Sequence, residues 1–226
     1  MGRQLVLDLP LRPALGRDDF LVAPSNAAAV ALIDQWPRWP SYGAILLGPH
    51  GSGKSHLATV WQQKAEAQFI EASALRQEGV PAALASKALV IENLSSFPLD
   101  EAALFHLLNL AKTEGASVLF TTAQPIAALA LKLPDLVSRL SALPVAAIAP
   151  PDDSLLRGVL VKHFSDRQIA VDEALVTYLL TRMPRSLDMA RQVVAAIDAA
   201  ALEQKTEVTR TFAGKVLARL IQPELS

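Results

Sequence analysis

The sequence contains no cysteine, which excludes disulfides and thiolate-held metals and agrees with a reducing compartment. Histidine is scarce too, at four scattered positions with no metal-ligand spacing. An excess of one charge is also missing, because 21 Lys and Arg stand against 22 Asp and Glu for a formal net charge of −1. A surface built to grip a nucleic-acid backbone needs clustered Lys and Arg, so tight direct DNA binding is not expected. No apolar run is long enough to span a bilayer, and no cationic segment leads into an apolar one at the N-terminus. A soluble, cytoplasmic protein with no membrane partner is the expectation. What is present is core material, with 51% hydrophobic and 19% charged residues in a chain of 226, enough for one large or two small domains.

The most informative stretch runs from Ala44 to Leu57, an apolar segment that opens into Gly48-Pro49-His50-Gly51-Ser52-Gly53-Lys54-Ser55-His56. Gly48, four residues, then Gly53, Lys54 and Ser55 match the Walker A spacing. Glycines at 48, 51 and 53 let the backbone turn its N–H groups toward one phosphate, and the helix that follows offers its positive end to the same anion. Lys54 would reach the outer phosphates and Ser55 would place a hydroxyl on Mg²⁺. The ligand expected from the loop itself is a nucleotide's phosphates with Mg²⁺; whether ADP, ATP or another nucleotide is bound stays open at this point.

Around this loop the sequence alternates strand and helix signals. Ser25 is placed to cap a helix through Asp34, which stops at Trp36-Pro37-Arg38-Trp39-Pro40 because two prolines cannot continue it; the tryptophans read as packing residues. Strands are expected at 44–47, 69–72, 87–92, 117–122 and 144–148. The run from Lys87 to Glu92 is apolar between its charged ends, with an acid at its C-terminal end, as suits the middle of a parallel sheet. Helices are expected from Lys54 to about Ala67, from Pro98 to Glu114 with Gly115 as the stop, and around 126–131 and 134–141. After Pro150-Pro151 only helical periodicity remains, at 153–165, 172–182, 186–204 and 209–221, with Asp152, Asp172, Ser186 and Thr209 as caps. The predicted organisation is an extended arm over 1–24, an α/β nucleotide-binding domain with a five-stranded parallel sheet over 25–149, and an all-α lid over 150–226.

Glu92, at the C-terminal end of a neighbouring apolar strand, is the expected second Mg²⁺ residue, acting through water; the alternative is a strand-end acid paired with a surface lysine. Asn93 follows it. An amide can orient water but cannot accept its proton, so efficient unaided hydrolysis is not expected. Thr121 and Thr122 end the next strand, where they could bond a γ-phosphate or simply finish the strand. Arg139 and Arg185, in Pro-Asp-Leu-Val-Ser-Arg-Leu and at the opening of the third lid helix, could equally be solvated surface charges.

Together the cradle, the strand ending in an acid, the Ser-Arg-Leu helix, the Pro-Pro-Asp junction and the Arg-Ser-Leu helix start resemble the AAA+ module of the bacterial replication initiator DnaA. The initiator's helix-turn-helix domain has no counterpart in these residues. Gln4-Leu5-Val6-Leu7-Asp8-Leu9 looks like the short peptide that docks on the replicative sliding clamp, the β subunit of DNA polymerase III, through Gln4, Leu5, Leu7 and Leu9. The combined pattern is similar to the Hda family of DnaA-homologous proteins. That resemblance implies an AAA+ P-loop NTPase core followed by a helical lid, with the clamp and DnaA as partners, DNA met only through the clamp, and room for a homo-oligomer. It implies regulatory inactivation, in which hydrolysis of DnaA-bound ATP is stimulated in trans while the protein's own ATPase is weak or absent. It assigns Arg139 as an arginine finger, Arg185 as the sensor 2 residue that reads the protein's own nucleotide, and ADP as the active ligand. Glu92 departs from the usual aspartate and Ala123 from a usual polar residue. The competing reading is a self-sufficient, helicase-loader-like ATPase; a small-molecule kinase lacks a visible acceptor site.

Overall fold

The apolar run Gly43–Leu47 forms a strand, β1, with four of its five residues buried. In this computed structural model, which describes residues 21–221, β1 is preceded by helix α1, Ala27–Gln35, and followed by α2, Lys54–Ala65. Then come β2, Gln68–Glu71; the short α3, Val80–Ala83; β3, Ala88–Glu92; and α4, Glu101–Glu114. Strand β4, Ser117–Thr122, helix α5, Pro134–Ser141, and β5, Val145–Ala147, complete the α/β part. All pairs are parallel, in the order β2-β3-β4-β1-β5. The order corrects one expectation: the strand ending in Glu92 is not beside the phosphate-loop strand, because β4 lies between them. Crossover helices allow any parallel order, and apolar runs alone do not choose one.

Backbone contacts divide the described chain into two compact units, residues 26–149 and residues 150–221 with 21–25. In the first, Ile45, Leu89, Ile91, Val118 and Phe120 pack with Leu104, Leu107, Leu108, Leu136 and Leu140 in one buried cluster. Each such burial contributes roughly 1.5–3 kcal/mol. The tryptophans are packing residues, as expected. Trp39 stacks on Trp61 with ring centroids 5.2 Å apart, and Trp36 meets the same ring edge-on at 5.9 Å.

The second unit holds α6, Asp153–Asp166; α7, Glu173–Leu180; α8, Leu187–Gln204; and α9, Arg210–Ile221. Leu160, Phe164, Leu179, Val193, Val194 and Ile197 are buried in its own core. Three expected caps accept hydrogen bonds at their helix starts, Asp152 from Leu155 N, Asp172 from Leu175 N and Ser186 from Met189 N. Thr209 Oγ1 likewise accepts from Phe212 N at 3.2 Å.

Several boundaries differ from expectation. Asn26 rather than Ser25 is the N-cap of α1. The helix expected from Pro98 starts at Glu101 under an Asp100 cap, whose carboxylate accepts from Ala103 N at 2.9 Å and fixes the first turn there. The segment from Ile126 is a single 3-10 turn, Ile126–Ala128. Ala72–Ala74 and Gln77–Gly79 form two more such turns before α3, where no element was expected. The peptide Gln4–Leu9 lies outside the described residues.

Candidate nucleotide site

The loop between β1 and α2 is shaped by its glycines. Gly51 and Gly53 have φ of 71° and 98°, a region costly to a side chain with a Cβ. Gly48 is needed for a different reason: a Cβ there would lie 2.5 Å from Ile148 O and 2.9 Å from Ser52 Oγ. Its N–H donates to Thr122 O at 3.1 Å, which ties the loop's entry to the end of β4. Ser52 Oγ is buried with no hydrogen-bond partner, a cost of about 1–3 kcal/mol that a polar ligand would relieve. Pro49, His50, Ser55 and His56 are exposed along the loop and the first turn of α2.

Lys54 folds over this loop, its Nζ donating to Gly48 O at 2.7 Å and Pro49 O at 2.9 Å. Burial pushes its ammonium below the ordinary lysine range, and the negative charge of Glu92 partly opposes that shift. A second acid, absent from the sequence reading, belongs to this edge. Glu71 ends β2 in register with Glu92, and burial pushes its carboxyl up, with the Glu92 charge adding to the rise. The signal was available, because Ile70-Glu71 repeats the apolar-then-acid ending of Ile91-Glu92.

Between these acids and β1, the two threonines are structural. Thr121 and Thr122 are each 1% exposed. Thr121 Oγ1 accepts from Asn93 N at 2.9 Å. Thr122 Oγ1 donates to Gln124 O at 2.8 Å, and Ser95 Oγ, 3.0 Å away from it, accepts from Ala123 N at 2.8 Å. Their hydroxyls fasten the turn after β3 to β4, which decides between the two readings in favour of strand ending. Asn93 itself has φ of 61°, a left-handed conformation that asparagine tolerates better than most residues.

The donors fit a nucleotide's phosphates. Backbone N–H groups, the Lys54 ammonium and the unpartnered Ser52 hydroxyl all suit an anion. Ser55 and Glu92 are the hard oxygen donors suited to Mg²⁺. Among the described residues, no group of three or more His, Asp or Glu is arranged to hold a metal ion, so phosphate oxygens and water would complete the coordination.

The two arginines stand differently. Arg139, half-buried on α5, lies with Cζ 5.1 Å from the centroid of the Phe105 ring. Arg185 belongs to the 150–221 unit, one residue before the α8 cap, and its Nη2 meets Asp153 Oδ1 at 2.8 Å with both side chains more than half exposed. It precedes the third helix of that unit and does not open it.

A parallel sheet in this strand order, a glycine loop entering α2 and a run of helices after β5 define an AAA+ P-loop fold. Searches of protein-family models and of curated proteins give no match. Among solved structures, domain III of the Thermotoga maritima replication initiation protein DnaA is similar, with a TM-score of 0.73 at 19% identity over 95% of this chain and 100% of that one. AMPPCP-bound DnaA from Aquifex aeolicus aligns with a TM-score of 0.67 at 16% identity, over 87% of this chain and 70% of that one. The Thermotoga maritima RuvB Holliday junction branch migration motor does so with 0.66 at 16% identity, over 88% and 70%. At these identities the likeness is one of fold. No described helix is long and apolar enough to cross a membrane.

Proposed function

We propose that this chain is a regulator of replication initiation that holds a nucleotide in its own loop and lends Arg139 to ATP bound by DnaA. Two domains, a nucleotide-binding one over 25–149 and a helical lid over 150–226, follow an arm over 1–24 that docks on the sliding clamp through Gln4, Leu5, Leu7 and Leu9. Arg139 is the observation that carries the reading. It is a cation among whose described contacts there is an aromatic ring and no carboxylate, so its N–H donors remain available to another molecule's phosphates.

The cradle of Gly48 to Ser55 would bind ADP, or ATP, with Lys54 turning from its own loop carbonyls to the phosphates. Ser55 and Glu92 would hold Mg²⁺. Asn93, which cannot take a proton from water, leaves this site a holder of nucleotide rather than an efficient hydrolase. Bound nucleotide supplies the negative charge that organises the loop, and Arg185 is the residue of the helical unit whose loss should weaken nucleotide retention. In DnaA's site, water attacks the γ-phosphorus as the bond to the bridging oxygen breaks, giving ADP and phosphate. The Arg139 guanidinium stabilises charge on the transferred group, an effect worth factors of about 10³ or more.

The test is a hydrolysis assay with ATP-loaded DnaA. The purified chain should turn over little ATP alone, yet accelerate hydrolysis when DNA-loaded clamp is present. Replacing Gln4 and Leu5 by alanine should remove the clamp dependence with the fold intact. Steady ATP turnover by the isolated chain, lost in Lys54→Ala and Glu92→Gln, would instead make it a self-sufficient loader.

A further inference from the structure

Helix α5, which carries Arg139, is held from one face of α4. The Glu101 carboxylate accepts at both oxygens from Lys132 N, at 3.0 and 2.9 Å, and at Oε2 from Leu133 N at 2.8 Å. Leu133 is the N-cap position of α5 and supplies no side-chain cap; a capping side chain would accept from N–H groups inside the first turn, whereas these bonds fasten the two N–H groups that lead into the helix to α4. Four residues further along α4, on the same face, Phe105 puts its ring under the Arg139 guanidinium.

We infer that Glu101 and Phe105 are positioning residues for Arg139: the first fixes the start of its helix and the second holds its guanidinium extended without consuming a single N–H donor. The inference rests on the trans role proposed for Arg139. Its physical basis is a difference between two ways of ordering an arginine. A carboxylate partner would bind the planar fork through charge-assisted, often bidentate hydrogen bonds, which must be broken before another anion can be engaged. An aromatic face attracts the cation through its quadrupole and leaves all five N–H groups free. The side chain is thereby ordered in advance, and less conformational freedom is lost when it meets a phosphoryl group. Phe105 is only half-buried beside the main cluster, so a leucine can replace it without emptying the core.

The experiment uses the full chain with DNA-loaded clamp and ATP-loaded DnaA, and separates the maximal hydrolysis rate from the protein concentration giving half of it. Phe105→Leu should lower the maximal rate about tenfold or more, since small misplacements of a catalytic group can cost up to about a hundredfold, with half-saturation unchanged. Phe105→Tyr, which keeps the ring, should restore the rate. In an Arg139→Ala background, Phe105→Leu should have no further effect, the coupling that a merely structural role would not give. Upfield ring-current shifts of the Arg139 side-chain protons should be present in the wild type and the Tyr variant and lost in the Leu variant. Glu101→Ala should lower the maximal rate in the same direction, provided its thermal melt shows a folded protein.

A wild-type maximal rate in Phe105→Leu, alongside a lost rate in Arg139→Ala, would overturn the positioning role alone. So would an equal loss from Phe105→Leu in both backgrounds. Full stimulation by Arg139→Ala would overturn the trans reading itself, and the purpose assigned to Glu101 and Phe105 with it.

Discussion

Lys54 and Arg139 are both half-buried cations of the same α/β unit, and the structure treats them in opposite ways. Lys54 is enclosed by its own loop, donating to two carbonyls and sensing the Glu92 carboxylate. Arg139 rests on an aromatic ring, and no carboxylate is among its described contacts. On the proposed reading, the first cation retains a ligand. The other keeps its donors unspent, as a residue meant for another molecule's phosphates would. Arg185 gives a third case, a surface cation paired with a surface carboxylate.

Among effects on binding and stability, the largest that sharpens this contrast is on nucleotide affinity. Lys54→Ala should weaken ADP binding about a hundredfold, the loss of charge-assisted hydrogen bonds worth up to about 3 kcal/mol. Arg139→Ala, titrated by the same calorimetry, should stay within a factor of about two; a comparable loss would erase the distinction between the two cations. Next is the loop itself. Gly48→Ala forces a Cβ to 2.5 Å from a backbone oxygen and should destabilise the protein by about 2 kcal/mol, typical of overpacking, seen as a lower midpoint in urea.

Smaller changes follow at the periphery. Asp153→Ala removes an exposed ion pair and should shift stability by no more than about 0.5 kcal/mol in the same unfolding experiment; a larger loss would mean that Arg185 is as firmly committed as Lys54. The smallest effect is at Glu71. Burial and the Glu92 charge raise its carboxyl in the folded state, so protonation favours the fold. That contribution is complete below the ordinary carboxylate range near pH 4 and is lost as pH rises through the raised value. Glu71→Gln should therefore melt slightly above the wild type at neutral pH, and the difference should vanish below about pH 4.

Much of the candidate nucleotide site was legible because its signal is local. Strand, glycine turn, Lys54 and helix are consecutive, and the caps Asp152, Asp172 and Ser186 directly precede the helices whose N–H groups they accept. The site proposed to act on another molecule's nucleotide was named in the sequence only at Arg139, through a resemblance. Glu101 and Phe105 act on a helix about thirty residues further along the chain, and nothing in the spacing of α4 separates them from ordinary exposed and apolar positions. Long-range placement hid other features too. The insertion of β4 between β1 and β3 decides that Thr121 and Thr122 fasten a turn, a role that β-branched residues at a strand end do not reveal. Residues 72–86 hold two 3-10 turns and a four-residue helix, too short for any periodicity to show.

The contrast between the two cations is most directly tested by hydrolysis of DnaA-bound ATP with clamp-loaded Arg139→Ala, a variant first confirmed to bind ADP and clamp like the wild type. The expected result is a fall in the stimulated rate by about 10³ or more, to the level of DnaA alone. Stimulation at the wild-type rate would contradict it, and would leave Arg139 a surface charge over a ring.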